Sequence, residues 1–236
     1  VHAVSVRTDR QLADFLALLD AQVGLTRTLV VLTADHGVAP LPESQHERRM
    51  PGGRIDAATL FPPINAALEA RFGPGRWLLA TAGSSPYLDH ALIAAKGLDA
   101  AEVRQVAAEA ARRTPHVLRV YTRDQLQRGQ VANDLIDRRV LRGFNEQRSG
   151  DLEIIFEPFW MRAQNGTTHG TPHNYDAHIP LVFMGPGVKA GRYLGHVALN
   201  DLAPTVAAMV GVAAPSGADG RVLSEMLAET PDNVRR

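Results

Sequence analysis

Residues 28–37 read Thr28-Leu29-Val30-Val31-Leu32-Thr33-Ala34-Asp35-His36-Gly37. The first six are β-branched or apolar on both alternating faces, which predicts a strand covered on both sides in a parallel sheet. Asp35, His36 and Gly37 then fall at its carboxyl end, the edge where open α/β sheets bind ligands. Upstream, Leu12, Phe15, Leu16, Leu19 and Val23 recur at helical spacing after a Thr8-Asp9 cap, and Gly24 ends that helix. Downstream, Ile179-Pro180-Leu181-Val182-Phe183-Met184 reads as a second buried strand, stopped by Gly185-Pro186-Gly187. Arg192 to Val197 suggests a short third strand. Asn200 opens a helix with Leu202, Val206, Met209 and Val210 on one face, Pro204 in its first turn and Gly211 at its close.

Between these blocks the texture changes. A Pro-, Gly- and Arg-rich loop runs from Pro40 to Arg54, and a helix is expected from Asp56 to Phe72. Trp77 to Thr81 reads as a strand that Tyr87 to Ala94 extends or follows. Asp99 and Glu102 have the form of a capping box, continued by Val103, Val106, Ala107 and Ala110. Val117 to Thr122 and Asp151 to Phe156 read as strands around a helix from Asn133 to Asn145. The organisation expected is an α/β core at 1–39 and 166–236, with an inserted α+β subdomain at 40–165. That core counts only two strong central strands, whereas sheets usually hold about 4 to 6. It therefore reads as a partial core.

Composition narrows the chemistry. The chain has 236 residues, no Cys, and 25 basic against 25 acidic side chains. Zero Cys removes disulfides, thiolate nucleophiles, Cys-ligated zinc and iron–sulfur clusters, so any metal must be held by His and carboxylate. Zero net charge removes the usual electrostatic argument for nucleic acid or an anionic membrane surface. No apolar run reaches the roughly 18 residues of a membrane-spanning helix. The opening Val1-His2-Ala3-Val4-Ser5-Val6-Arg7 lacks an initiator Met, a basic start and a long apolar core. It does not read as a signal peptide; it reads as the middle of a longer chain.

Asp35 and His36 offer an oxygen and a nitrogen ligand side by side. Adjacent strand residues point to opposite faces, so both reach one ion only if the chain leaves the pleat, which Gly37 permits. On the dipeptide alone, the alternative is a loop Asp capping the next element beside an exposed His. The second feature is Gly166-Thr167-Thr168-His169-Gly170-Thr171-Pro172-His173-Asn174-Tyr175-Asp176-Ala177-His178-Ile179-Pro180, with three imidazoles within ten residues. His173 and His178 read as turn or strand-entry residues bonded to backbone. His169 differs in being flanked by Thr168 and Gly170, in a loop that must run along the sheet edge.

Three motifs now stand in order: Thr33-Ala34-Asp35-His36-Gly37, Gly166-Thr167-Thr168-His169-Gly170 and Tyr175-Asp176-Ala177-His178-Ile179-Pro180-Leu181. Together they resemble the alkaline phosphatase superfamily, in its type I phosphodiesterase/nucleotide pyrophosphatase branch and nearest its bacterial alkaline phosphatases. The tail from Asp201-Leu202-Ala203-Pro204-Thr205 to Asp219-Gly220-Arg221-Val222-Leu223 resembles that family's closing helix and loop. The likeness runs over nearly the whole chain.

The resemblance implies an alkaline-phosphatase-like three-layer sandwich with a mostly parallel sheet, and two zinc ions at the sheet's carboxyl edge. Asp35 and His36 match ligands of the zinc that activates the nucleophile; His169 matches a ligand of the other. The Thr or Ser nucleophile, which would form a covalent phospho-enzyme, and the remaining ligands lie upstream in the family and have no match in residues 1–34. Asp9, Asp14 and Asp20 there lack the accompanying Gly-His. No catalytic residue is therefore assigned in this chain. The implied substrate is a small phosphate ester, with a monoesterase expected, a nucleotide phosphodiesterase or pyrophosphatase as the rival, and a non-catalytic accessory fragment as the third reading. Periplasmic or secreted location is implied by resemblance.

Overall fold

The computed structural model describes residues 2–228, which divide into two compact units. The first takes in the described residues up to Ala34 and from Pro180 onward; the second is Asp35–Ile179.

In the first unit, helix α1 (His2–Gln22) starts upstream of the Thr8-Asp9 cap signal. Residues 2–8 contain no Gly or Pro to interrupt it, so a local cap preference is overridden. None of its residues is buried, and Phe15 of the expected core stripe is 58% exposed. Strand β1 is Val30–Thr33. Its partner across the sheet is Leu181–Met184, near the C-terminal end of the chain, and the two run antiparallel with Val30 opposite Met184 and Leu32 opposite Val182. Burial on both faces is not found. Leu32, Val182 and Met184, which share one face, are 54%, 51% and 46% exposed, and among the described residues the sheet holds only these two strands. The expected strand at Arg192 to Val197 is irregular backbone.

The tail of this unit is tied together by polar groups. Asp201 accepts from the backbone N–H groups of Ala198 and Arg221 at 2.9 Å each. Thr205 donates to the Asp201 carbonyl and accepts from Leu223 N–H at 3.0 Å. A Cβ at Gly220 would lie 2.1 Å from the Asn200 carbonyl oxygen, so only glycine lets the tail cross there.

The second unit is the better packed. In chain order it contains α2 (Pro42–Glu47), β2 (Gly53–Arg54), α3 (Ala57–Phe72), β3 (Leu78–Ala82), β4 (Ser85–Leu88) and α4 (His90–Ala95). Then follow α5 (Ala100–Arg112), β5 (Val117–Thr122), α6 (Arg123–Gln127), α7 (Leu135–Gly143), β6 (Leu152–Phe156), β7 (Trp160–Met161) and α8 (Asn174–Ala177). Strand β8 is the Leu181–Met184 strand of the first unit, and its last helix is α9 (Leu202–Val210). Leu60, Ile64 and Leu68, spaced four apart on α3, are fully buried with Val103, Ala107 and Ala111 of α5, Trp77 and the inward side of β5–β6. β5 and β6 pair antiparallel, as do β3 and β4; β2 and β7 form a short parallel pair.

One expectation in this unit is corrected. Tyr87 to Ala94 is not a single strand: β4 ends at Leu88, and α4 begins because the Asp89 side chain accepts from Leu92 N–H at 2.9 Å. An N-terminal cap outweighs the β propensity of the preceding residues. α6 escaped the sequence reading altogether. It is set by a reciprocal capping box between Thr122 and Gln125.

Candidate metal centre

Asp35, His36 and His169 all fall in the second unit, at the ends of irregular segments that hydrogen-bond to each other. His36 Nδ1 lies 2.7 Å from its neighbour's carbonyl, Gly37 O. A carbonyl only accepts, so Nδ1 carries the proton and Nε2 presents its lone pair. That Nε2 stands 3.6 Å from Asp35 Oδ2. Two ligands each about 2.0–2.1 Å from one tetrahedral zinc are about 3.3 Å apart, so the pair fits a shared ion. The chain leaves the strand before this point, since β1 ends at Thr33, and that lets the two neighbouring side chains approach each other. The Asp35 side chain is 88% exposed and that of His36 37%, so an ion can enter.

His169 stacks on His36, with ring centroids 3.5 Å apart and planes at 9°. Its ring makes no hydrogen bond among the described residues, so both nitrogens are open to a ligand. Among the described residues no three His, Asp or Glu side chains converge on one point. What is assembled is a two-ligand pair with a third imidazole facing it, a donor set suited to zinc but short of a closed cage.

Three supports hold this arrangement. Gly37 N–H donates to Asp176 O at 2.7 Å, and a Cβ at residue 37 would fall 2.1 Å from Tyr175 O. Ala39 N–H donates to Thr168 O at 3.3 Å, while the Thr167 hydroxyl donates to Ala39 O. Arg54 donates to Gly166 O at 2.9 Å and to Ala163 O, and is itself held by Glu43 at 2.8 and 2.9 Å. The Arg54 guanidinium holds the Glu43 carboxyl below its ordinary pKa. His173 is buried with Nε2 2.8 Å from Phe156 O, a backbone-bonded role, whereas His178 is exposed just past α8.

The three ligand candidates were legible as residue types; their supports were not. Arg54 lay in a loop notable only for its arginines, and its target lies 112 residues away. A cavity of about 360 Å³ is lined by Gly170, Thr171 and Pro172 with Arg139, Val140 and Glu153. Burial pushes the Glu153 carboxyl up and the Arg139 guanidinium down.

Comparison with known proteins bears on the family and the fold. The alkaline phosphatase PafA of Elizabethkingia meningoseptica is 35% identical over 94% of this chain and 41% of its own length. A protein named calcium-transporting ATPase from Myroides odoratus is 32% identical over 94% of this chain and 41% of its own. The crystal structure of wild-type PafA superposes with a TM-score of 0.86 at 34% identity, over 95% of this chain and 43% of that one. The fold is thus the alkaline-phosphatase-like α/β fold, and the chain spans about two fifths of the length of the curated relatives it matches. The family model for type I phosphodiesterase / nucleotide pyrophosphatase matches residues 1–178, so the chain belongs to that family.

Proposed function

We propose that the chain is the C-terminal part of a zinc-dependent phosphohydrolase acting on small phosphate monoesters. The observation that carries this reading is the Asp35–His36 pair, with its tautomer fixed by Gly37 O and with His169 stacked beside it. Asp35 and His36 would hold the zinc that activates the nucleophile, and His169 would ligate a second zinc. Two such ions supply charge neutralisation to the attacking and departing oxygens of an in-line displacement. The chain's own residues contribute positioning: Gly37 O orients the His36 ring, and Arg54 and Thr167 hold the loop that ends at His169. Positioning is most of what phosphoryl transfer asks of a protein.

In this reading the hydroxyl nucleophile, its covalent phospho-enzyme and the remaining ligands belong to sequence upstream of residue 1. The coverage of about two fifths of the relatives, and the uncovered apolar face of α1, support that placement. Residues 40–165 act as a cap-like insert beside the ligands, and the protein works in the periplasm or outside the cell.

A second reading, a nucleotide phosphodiesterase on the same metal core, is favoured by the description of the matching family. The full-length protein distinguishes them with p-nitrophenyl phosphate against bis(p-nitrophenyl) phosphate. The proposal expects the monoester to have the higher kcat/KM; a diester preference selects the second reading.

A further inference from the structure

We propose that Asp176 is a positioning residue, which ties together the two segments carrying the candidate ligands. The inference rests on the reading of Asp35, His36 and His169 as metal ligands. Asp176 is only 4% exposed and uses both its backbone and its side chain. Its carbonyl accepts Gly37 N–H at 2.7 Å, one residue past His36. Its carboxylate Oδ2 accepts Thr171 N–H at 2.8 Å and Thr171 Oγ1–H at 2.7 Å, two residues past His169. One residue thus fixes the chain just beyond each ligand.

Asp176 is itself anchored. Its N–H donates to His173 O at 3.1 Å, and the His173 ring is bonded at 2.8 Å to Phe156 O in β6, part of the buried core of this unit. The line from β6 through His173 and α8 to Asp176 therefore links a buried strand to both ligand segments. The other carboxylate oxygen, Oδ1, is buried and without a hydrogen-bond partner among the described residues. A buried oxygen left unpaired is unfavourable, so packing alone does not account for a carboxylate at this position. Groups that orient metal ligands from behind typically change metal affinity about 10- to 100-fold when removed.

The test uses the full-length protein and reads zinc affinity by competition with a chromophoric chelator, with circular dichroism to confirm folding. Asp176→Ala is expected to weaken zinc about 10- to 100-fold. Asp176→Asn keeps an oxygen for the two Thr171 donors and is expected to restore affinity to within about threefold of wild type. Thr171→Val removes the hydroxyl's bond to Asp176 and the bond it accepts from His173 N–H at 3.3 Å, and is expected to weaken zinc about threefold or more; it decides the matter if Asp176→Ala does not fold. Wild-type zinc affinity in folded Asp176→Ala, or in Thr171→Val, overturns the clamp while His169→Ala and Asp35→Ala still lose metal. Retention of zinc in those two ligand variants instead removes the metal reading, and the clamp with it.

Discussion

One nitrogen of His36 is committed to Gly37 O, and the other is left facing Asp35. That geometry depends on a glycine whose Cβ would press 2.1 Å from the Tyr175 carbonyl. Gly37→Ala is therefore expected to shift the Asp35–His36 turn and cut zinc affinity and turnover at least about tenfold, measured by chelator competition and p-nitrophenyl phosphate hydrolysis. The sequence announced Gly37 as a turn residue, but not as a contact point, because the other partner lies far along the chain. Elsewhere, burial, with a bond to Asp137, pushes the Tyr121 hydroxyl up to about 12. An unfolded tyrosine ionises near pH 10, so the folded state holds its proton longer and this group's stabilisation is lost as pH rises from about 10 through 12. Absorbance titration should find Tyr121 ionising late, and Tyr121→Phe should flatten the alkaline fall in stability.

At the scale of elements, regular amphipathic segments were readable. The helix expected from Asp56 to Phe72 is α3, because its stripe of Leu60, Ile64 and Leu68 meets the α5 stripe announced by Val103 and Ala107. Ile64→Ala should cost about 2–5 kcal/mol in denaturant unfolding, since the side chain is fully buried. Elements that depend on one side-chain bond were misread. α4 exists because Asp89 caps it, and Asp89→Ala should cost about 1 kcal/mol in the same measurement. Unbroken apolar, β-branched runs at β1 and β8 located both strands but overstated their burial. Whether a strand face is covered depends on elements distant in sequence, which local pattern does not contain.

Across the whole molecule, the two units differ in how much apolar surface they hide. The second encloses Trp77, Leu60, Ile64 and Leu152; the first leaves Val4, Phe15, Leu18, Leu32, Val182 and Val210 exposed. A length that suits a single domain is distributed between a well-packed unit and a loosely covered one. The ordered motifs were sufficient to identify the family, because three short signals at fixed spacing are far more specific than any one. In the proposed reading the 236 residues alone are expected to bind zinc weakly and to show no meaningful turnover, since among the described residues the candidates that come together are Asp35, His36 and His169. Near-stoichiometric zinc with phosphatase activity in this chain by itself would refute that incompleteness. The central claim, that Asp35, His36 and His169 hold metal, is tested most directly by zinc content after dialysis. The measurement compares the full-length protein with its Asp35→Ala and His169→Ala variants. About two zinc ions per wild-type chain are expected, with at least about one lost in each variant. Undiminished zinc in both variants would contradict the claim.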